Sequence, residues 1–264
     1  MTEEQAPKIV IIGCGNVAWH LAKKFYELKF RITVYNHRAS PELEEFRHNF
    51  QATARVGLHN IEKEAAFYFI CVPDRYISTC AKKISPVSPR AVVAHTSGTA
   101  SISELGDRGH GTAVFYPLQT FSRHDEIYWQ DLPIIIEGDS EATTEQVKKL
   151  AIHLSRNVKV YPEEDRVKLH LCAVLINNFG NALFTAAARL LADDSGQNKL
   201  SLLMPLARQT VQKVEKLGPR AAQTGPARRG DKKTIKKHLK MLNDEDELRK
   251  LYKQFSSIII SQHK

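Results

Sequence analysis

The chain has 264 residues, of which 42% are hydrophobic and 25% are charged, proportions typical of a globular protein with one large core or two modest ones. Its first residues, MTEEQ, are polar and acidic, which is unlike a signal peptide, and we expect no apolar run long enough to span a membrane. These features favour a cytoplasmic protein and argue against attachment to a membrane.

The net charge of +9 lies mainly in the C-terminal part of the chain. Residues 161–264 contain 19 Lys and Arg against 11 Asp and Glu, whereas residues 1–160 contain 19 against 18. A basic segment of this kind suits nucleic acid, an anionic substrate or solvated helices. Because few aromatic residues are interleaved between positions 220 and 240, a base-stacking surface is poorly supported, and we expect no nucleic-acid partner.

Apolar strands alternate with helical patterns over the first part of the chain. Strands are expected at residues 8–12, 31–35, 66–72, 91–94, 112–116, 133–136 and 158–161. Helices are expected at residues 16–28, 41–50, 76–84, 102–105 and 144–154. This order predicts an α/β fold built on a doubly wound, mostly parallel Rossmann sheet that is buried on both faces.

The pattern becomes entirely helical after Pro162. Helices are expected at residues 163–191, 199–217, 231–242 and 244–260, with Asp244 as the N-cap of the last and a Gly-Pro-rich loop at 218–226. We therefore predict two domains. Residues 1–161 form a Rossmann dinucleotide-binding domain, and residues 162–264 form a helical domain for dimerisation and substrate binding.

The glycine-rich turn after the first strand has the form G-x-G-x-x-A of a dinucleotide-binding βαβ unit. Gly13 permits a tight turn, Gly15 allows a pyrophosphate to approach the main chain, and Ala18 lets the helix pack closely on the strand. Asn16 and Val17 begin that helix, whose free N–H groups and partial positive charge favour phosphate. These five positions are predicted to bind the cofactor.

The end of the second strand bears on which cofactor binds. NAD sites usually place Asp or Glu there to bind the ribose 2′-hydroxyl, but this chain has Asn36, followed by His37 and Arg38. Since a guanidinium pairs with a 2′-phosphate, the sequence favours NADP over NAD, with a solvated loop as the alternative for Arg38. A deazaflavin is not excluded, because a glycine-rich turn recognises phosphate and not the redox ring.

Ligands of open α/β sheets lie beyond the carboxyl ends of the strands, and several polar residues end strands here. Val72 and Pro73 are predicted to form an apolar wall beside the cofactor. His95 suits either proton transfer or a role in orienting the loop that follows it. The remaining strand-end residues predicted to contact substrate are Ser97, Tyr116 and Gln119.

The helical part offers two further candidates. Positions 170, 174, 177, 178 and 181 share one helix face, which would carry His170, Asn177 and two other Asn residues. This face suits an inter-domain active site or polar contacts in a dimer core. Arg229 follows Arg228 in a loop before a helix, where it would clamp an anionic group or remain a solvated basic residue.

The cysteines and histidines do not suggest a metal site. The four cysteines, Cys14, Cys71, Cys80 and Cys172, lack C-x-x-C spacing, and no H-x-x-x-H or H-E-x-x-H pair occurs. We therefore expect free thiols of a reducing compartment and no bound metal.

Several motifs give the chain a family resemblance: Gly13-x-Gly15-x-x-Ala18, Val72-Pro73-Asp74, His95-Thr96-Ser97-Gly98, Tyr116-Pro117-Leu118-Gln119-Thr120-Phe121, Asn177-Asn178-Phe179 and Thr224-Gly225-Pro226-Ala227-Arg228-Arg229-Gly230-Asp231. It resembles a family of Rossmann-like oxidoreductases, described as NADP- or deazaflavin-dependent, with a C-terminal helical domain of unknown function. More distantly it is similar to the 6-phosphogluconate dehydrogenase-like superfamily, which includes prephenate dehydrogenase, pyrroline-carboxylate reductase and ketopantoate reductase.

The chain departs from two catalytic patterns of that superfamily. Prephenate dehydrogenases carry His-Pro where this chain has Tyr116-Pro117, and the hydroxyacid dehydrogenases pair a Lys with an Asn one turn later, where Lys168 is followed by Cys172. The resemblance therefore implies the two-domain architecture and a homodimer, but no particular substrate.

These observations lead to one functional hypothesis and one alternative. We predict an NADP-dependent oxidoreductase that transfers hydride to or from a small anionic carbonyl or imine compound in an inter-domain cleft. His95, Asn177 and His170 are its predicted catalytic residues, and Arg229 is predicted to neutralise the substrate, across a dimer interface. The alternative is an NADP-binding sensor or regulatory dimer without catalysis.

Overall fold

The computed structural model describes residues 7–84, 88–107, 109–192 and 199–263. Eight strands form one sheet in the order β3-β2-β1-β4-β5-β6-β7-β8. Their bounds are β1 Lys8–Ile12, β2 Arg31–Asn36, β3 Thr53–Val56, β4 Phe67–Ile70, β5 Val92–His95, β6 Gly111–Pro117, β7 Ile134–Gly138 and β8 Val158–Val160. Every neighbouring pair is parallel except β6 and β7. The predicted mostly parallel α/β fold is confirmed.

The α-helices are α1 Asn16–Glu27, α2 Pro41–Phe50, α3 Ile77–Ala81, α4 Glu141–Leu154, α5 Glu163–Ala173, α6 Phe179–Leu191, α7 Met204–Leu217, α8 Pro219–Ala222, α9 Lys232–Met241 and α10 Asp246–Gln262. Short 3₁₀ helices span Asp74–Tyr76, Ile102–Leu105, Trp129–Asp131 and Lys199–Leu203. Ser40 and Ser140 cap α2 and α4 through hydroxyl oxygens that accept from Leu43 N–H and Thr143 N–H.

The sheet is buried on both faces, as its near-continuous apolar strands predict. Alternate residues of a strand point to opposite faces, so Ile9 and Ile11 enter one core while Val10 and Ile12 enter the other. The first core also holds residues of α1, α2 and α4, and the second holds residues of α3. Packing on both faces holds the sheet in place, and with it the strand ends on which the candidate site is built.

The chain forms two compact units, which divide between Asn177 and Asn178. The division falls inside one continuous helical stretch made of α5, a π-helical turn over Val174–Asn178, and α6. The domain boundary predicted from the sequence, at 161/162, lies just after the last strand, β8, and so precedes this division by 16 residues. Residues at the start of α5 pack with the first unit, since the Arg166 side chain is fully buried and contacts Glu137 on β7.

Three local features differ from the predictions. The strand β3 was not predicted because it is short, mostly exposed and at the sheet edge, so it lacks an apolar signal. The N-cap of α10 is Glu245 and not Asp244, and its side chain makes no capping hydrogen bond within the described residues. The expected loop at 218–226 contains the one-turn helix α8.

The helical stretch Glu163–Leu191 also corrects the expectation that no apolar run reaches membrane-spanning length. Its mean hydropathy is 1.4 over 18 residues, so length and composition alone would allow it to cross a membrane. A single apolar helix of this length also occurs at protein interfaces, because length and hydropathy are alike in a lipid environment and in a protein interface. This stretch begins with three acidic residues and carries Asn177, Asn178 and Asn181 along its length.

Candidate functional site

The turn between β1 and α1 has the backbone that a dinucleotide site requires. Gly13 has φ +107°, and a Cβ at that position would collide with the carbonyl of Cys71 at the end of β4. The Gly13 N–H donates to the Tyr35 carbonyl at 2.8 Å, which ties the turn to β2. By contrast, a Cβ on the exposed Gly15 would meet no described atom within 4 Å, so the main chain there is open to a ligand.

The N-terminus of α1 is suited to phosphate. Gly15 occupies the N-cap and supplies no side-chain acceptor, and the first turn contains no acidic residue. The free N–H groups of the first turn of α1, and the positive end of its dipole, therefore lie next to Gly15, where a ligand has room. Asn16 Nδ2 donates to the Phe121 carbonyl at 2.8 Å, Val17 is half-buried, and Ala18 is fully buried. These features fit the pyrophosphate of a dinucleotide.

The β2 end carries a polar amide and two basic residues. Asn36 is buried, and its Nδ2 donates to the Arg38 carbonyl at 2.9 Å while its Oδ1 lies 3.2 Å from His37 Nδ1. Asn36 therefore shapes this loop, a role that the sequence did not reveal. His37 and Arg38 are exposed, so the Arg38 guanidinium is free to approach a 2′-phosphate.

The predicted apolar wall follows β4. A Cβ on Gly13 would lie 3.2 Å from Cγ1 of Val72, which places this side chain directly against the glycine-rich turn. Pro73 is exposed and has φ −55°, and the short helix Asp74–Tyr76 follows it.

His95 ends β5 and is completely buried. Its Nδ1 accepts a hydrogen bond from the Ser97 N–H at 3.2 Å, and its Nε2 makes no well-formed hydrogen bond among the described residues. Burial, aided by the nearby Arg166 charge, lowers the pKa of His95 to about 4, against weaker opposing effects of Asp74, the Ser101 backbone and Glu163. A neutral ring that supports the Ser97 backbone suits the orienting role better than proton donation to a substrate.

The Ser97 loop is organised by a hydroxyl network. Ser97 Oγ donates to Asp74 Oδ2 at 2.8 Å and accepts from the N–H groups of Thr99 and Ala100 at 3.0 and 2.9 Å. Thr99 Oγ1 donates to the same carboxylate oxygen at 2.7 Å. Asp74 thus joins the loop after β4 to the loop after β5. Sequence reasoning assigned no role to Asp74 or Thr99.

Tyr116 on β6 and His170 on α5 form the clearest chemical pair of the site. The Tyr116 hydroxyl lies 2.9 Å from His170 Nδ1. Gly98 packs against both rings, since a Cβ there would lie 2.5 Å from His170 Nδ1 and 2.8 Å from Tyr116 Cζ. Burial raises the pKa of Tyr116, and the charge of Arg166 opposes that rise. The phenol therefore keeps its proton at neutral pH while remaining beside a second proton-carrying group.

Arg166 is a functional candidate that sequence reasoning missed. It is fully buried, donates to Glu137 Oε2 at 3.2 Å, and lies 3.4 Å from the Ser97 carbonyl. Its Nε has no partner among the described residues. Arg166 precedes His170 by four residues, so both lie on one face of α5. The sequence signal that could have identified Arg166 was this four-residue spacing, in a helix that begins with three acidic residues.

Other predicted residues are not part of this cluster. Gln119 is exposed, and its Oε1 accepts only from the neighbouring Thr120 N–H among the described hydrogen bonds. Asn177 is exposed within the π-helical turn, whose i→i+5 bonding shifts the spacing on which the predicted helix face depended. Arg229 is exposed in the second unit, in the loop before α9. Their predicted roles remain untested predictions.

No group of three or more potential metal ligands occurs among the described His, Cys, Asp and Glu residues. The four cysteines are free thiols, and burial raises the pKa of Cys71 to about 12. A thiol with so high a pKa is a poor nucleophile. The candidate site is therefore built from a phosphate-binding turn, a hydroxyl-rich loop and the Tyr116–His170 pair, all at the carboxyl edge of the sheet.

Comparison with known proteins identifies two family regions. Residues 8–98 match the family described as NADP oxidoreductase coenzyme F420-dependent, and residues 132–259 match a domain of unknown function, DUF2520. No curated protein matches the chain in sequence.

The crystal structure of a "putative NADP oxidoreductase" from Bacteroides fragilis is 33% identical, with a TM-score of 0.88 over 97% of this chain and 98% of that chain. A reductive aminase from Aspergillus terreus, in complex with NADPH and ethyl-5-oxohexanoate, shares the fold at 15% identity and TM-score 0.70, over 98% and 97% of the two chains. An imine reductase from Myxococcus stipitatus, in complex with NADP⁺, shares it at 13% identity and TM-score 0.64, over 96% and 93%. The chain, which joins an F420-dependent-type NADP oxidoreductase domain to a DUF2520 domain, belongs to the same NADP oxidoreductase family as the Bacteroides fragilis protein.

Proposed function

We propose that this protein is an NADPH-dependent reductase of small anionic carbonyl or imine compounds, in which Tyr116 and His170 handle the proton that accompanies hydride transfer. The observation that carries the proposal is the 2.9 Å contact between the Tyr116 hydroxyl and His170 Nδ1, at the same sheet edge as the glycine-rich turn. Reduction of C=O or C=N needs one hydride and one proton. At this edge the cofactor turn would bring the hydride donor, and Tyr116 and His170 would supply the proton.

The residues at the turn fit NADP. The N–H groups at the start of α1 and the open face of Gly15 would hold the pyrophosphate, and Arg38 would pair with the 2′-phosphate. Val72 and Pro73 would cover one side of the nicotinamide. When bound, the reduced cofactor supplies the hydride. The family to which the chain belongs, and the NADP-bound structures that share its fold, support this choice of cofactor.

Tyr116 is the proposed proton donor. Its raised pKa keeps the phenol protonated at neutral pH, and it gives that proton to the oxygen or nitrogen that gains electrons from the hydride. His170, at hydrogen-bond distance, passes a proton from Nδ1 to the phenolate, and solvent returns a proton to the partly exposed imidazole, which restores the resting state. Positioned proton transfer of this kind typically contributes a factor of about 100 to 10,000 to the rate.

The Ser97 loop is proposed to hold the reacting group in place. His95 holds the loop by accepting a hydrogen bond from the Ser97 N–H. Asp74 holds it by accepting hydrogen bonds from the Ser97 and Thr99 hydroxyls. Arg166 braces it from α5 through the Ser97 carbonyl. A loop held at three points presents its polar groups without a large loss of entropy when a ligand binds.

An imine is supported as a substrate by the reductive aminase and imine reductase that share this fold, although the carbonyl alternative uses the same residues. The anionic character of the substrate rests on the basic C-terminal part of the chain, where Arg229 is the proposed counter-charge.

We further propose that the chain acts as a cytoplasmic homodimer assembled through its helical part. Large apolar side chains there are highly exposed in the single chain, among them Ile176 at 81%, Leu202 at 77% and Leu206 at 65%. Exposed apolar surface on this scale usually marks an interface. Light scattering after size-exclusion chromatography should give twice the mass of one chain, and a monomer at micromolar concentration would contradict the dimer.

The proposed cytoplasmic location is supported by the four free thiols, which are typical of a reducing compartment.

The proposed function is tested by following NADPH absorbance over a panel of keto acids, cyclic imines and ketone–amine mixtures. Turnover of one class, with one enantiomer of the product formed in excess, would support a reductase. Selective binding of NADPH without turnover on any class would instead favour the sensor alternative, and failure to bind NADPH would overturn the cofactor assignment.

A further inference from the structure

The second unit contains a cavity that the proposed function does not use. Its volume is about 510 Å³, and it is lined by residues 217–221 at the end of α7 and the start of α8, by Arg228, and by His263 after α10. His263 is 35 positions from Arg228 in sequence, so the fold brings the two together. Of the two neighbouring arginines in the Thr224–Asp231 motif, Arg228 lines this cavity and Arg229 does not.

The permanently charged side chains that line this cavity are both positive. Arg220 and Arg228 each bring a permanent charge, and none of the lining residues that the structure describes is Asp or Glu. Neither arginine forms an ion pair among the described residues. Two unpaired guanidinium groups around one cavity repel each other, and an anion between them would remove that cost.

The hydrogen bond to His263 fixes the position of Arg228. Arg228 Nη1 lies at hydrogen-bond distance from His263 Nδ1, and a guanidinium can only donate, so Nδ1 is the acceptor. The ring proton of the neutral histidine is therefore on Nε2. That atom is inaccessible to solvent in the single chain and has no partner among the described residues. Nε2 therefore does not face the cavity, and His263 acts on the site through Nδ1, which holds the Arg228 guanidinium in place.

The electrostatics agree with this arrangement. Burial of the ring and the charges of Arg228 and Arg220 lower the pKa of His263, which is the response expected of a histidine held between cations. The same field that disfavours a proton on His263 attracts an anion.

We propose that Arg220 and Arg228, the latter held in place by His263, form a binding site for a phosphate group carried by a small molecule. Each guanidinium can donate a forked pair of hydrogen bonds, and the three oxygens of a phosphate monoester can receive two such pairs, whereas the two oxygens of a carboxylate match the geometry of one. Two forked guanidinium groups match the geometry of a phosphate dianion. The cavity is larger than inorganic phosphate itself, so it has room for part of the molecule to which the phosphate is attached.

This site is independent of the proposed reductase function. The phosphate-binding turn at Gly13 and Gly15 lies in the first compact unit, whereas every lining residue of this cavity lies in the second. Binding can therefore be measured whether or not the protein turns over a carbonyl or an imine.

The experiment is a calorimetric titration of the full-length protein with inorganic phosphate and then with methyl phosphate, at constant ionic strength and without NADPH, whose own phosphate groups would compete for the site. We expect saturable binding of both, with methyl phosphate at least as tight. Arg220→Gln and Arg228→Gln should each weaken binding about tenfold or more, because each removes a charge-assisted contact worth roughly 1.4 kcal/mol or more.

The matched control is Arg208→Gln, which removes the same charge from an exposed position on α7 outside the cavity. It should leave the affinity within about twofold. His263→Gln provides a second variant, and in the wild-type protein the His263 ring nitrogens should shift on titration in NMR spectra. Thermal unfolding of each variant shows whether the fold is retained.

Two further arms separate the possible sources of the phosphate. Vesicles containing phosphatidic acid are compared with vesicles of phosphatidylcholine alone. Binding to the soluble phosphates, lost in the two arginine variants, supports the proposal. Absence of binding to soluble phosphate, binding only to the acidic vesicles, or equal weakening by Arg208→Gln would overturn it.

Discussion

The Tyr116 hydroxyl lies 2.9 Å from Nδ1 of His170, so a strand of the sheet and the first helix of the C-terminal part are joined by a bond through which a proton can pass. The residues are 54 positions apart in sequence. Neither residue alone distinguishes a catalytic group from a packed ring, but together they fit the proposed proton donor and the group proposed to reprotonate it.

Replacement of Tyr116 by Phe should remove the proton donor while leaving the ring in place. We expect turnover to fall by about 100-fold or more, with the dissociation constant of NADPH unchanged. Tyr128→Phe is the matched control, because Tyr128 is 82% exposed and lies outside the cluster. Steady-state rates and NADPH fluorescence titration give the two quantities. Equal rates for wild type and Tyr116→Phe would remove Tyr116 from the mechanism.

Gly98→Ala tests the same pair without removing either ring. The added Cβ would lie 2.5 Å from His170 Nδ1 and 2.8 Å from Tyr116 Cζ, so the two rings must separate. We expect turnover to fall by about tenfold or more while NADPH affinity is retained. An unchanged rate would show that the Tyr116–His170 contact is not needed for catalysis.

The two glycines of the cofactor turn should respond in opposite ways to alanine. Gly13→Ala places a Cβ at φ +107° and against the Cys71 carbonyl, so the melting temperature should fall by several degrees. Gly15→Ala meets no described atom, so stability should be nearly unchanged, but the methyl group occupies the path of the pyrophosphate and should weaken NADPH binding about tenfold. Differential scanning fluorimetry with and without NADPH separates the two effects. Full NADPH affinity in Gly15→Ala would place the pyrophosphate elsewhere.

Arg38→Gln should change the choice between NADP and NAD. Loss of a guanidinium–phosphate pair at an exposed position should weaken NADPH binding about tenfold and leave NADH binding nearly the same. Arg90→Gln, also an exposed arginine, is the matched control. Titration of both cofactors against all three proteins decides the matter. An equal change in the affinities for NADPH and NADH would refute the role of Arg38.

The fold could be predicted from sequence because its strands are buried on both faces and its glycine-rich turn has a recognisable form. The strand β3 could not, since its edge position requires no apolar pattern. Ser97 and Tyr116 could be named as candidates because they follow or end strands, and their roles stay predictions. Arg166 was missed because its importance comes from burial against Glu137, a contact between distant segments that no local pattern encodes.

The stability of the protein should depend on pH through His95. Its pKa is lowered to about 4 in the native state from the ordinary value of 6.5, because the ring is fully buried near Arg166. The unfolded chain therefore binds a proton at a higher pH than the native chain does. The stabilising contribution is present above pH 6.5 and is lost as the pH falls toward about 4, by roughly 3 kcal/mol in all.

Urea unfolding of wild type and His95→Asn at about pH 7 and about pH 4.5 measures this contribution. Other titrating groups contribute nearly equally to both proteins, so they cancel in the comparison. We expect the wild type to lose about 2 to 3 kcal/mol more than the variant over this interval. If both proteins lose the same stability, His95 is not held neutral by the fold, and a charged His95 would then have to be reconsidered as a proton donor to the substrate.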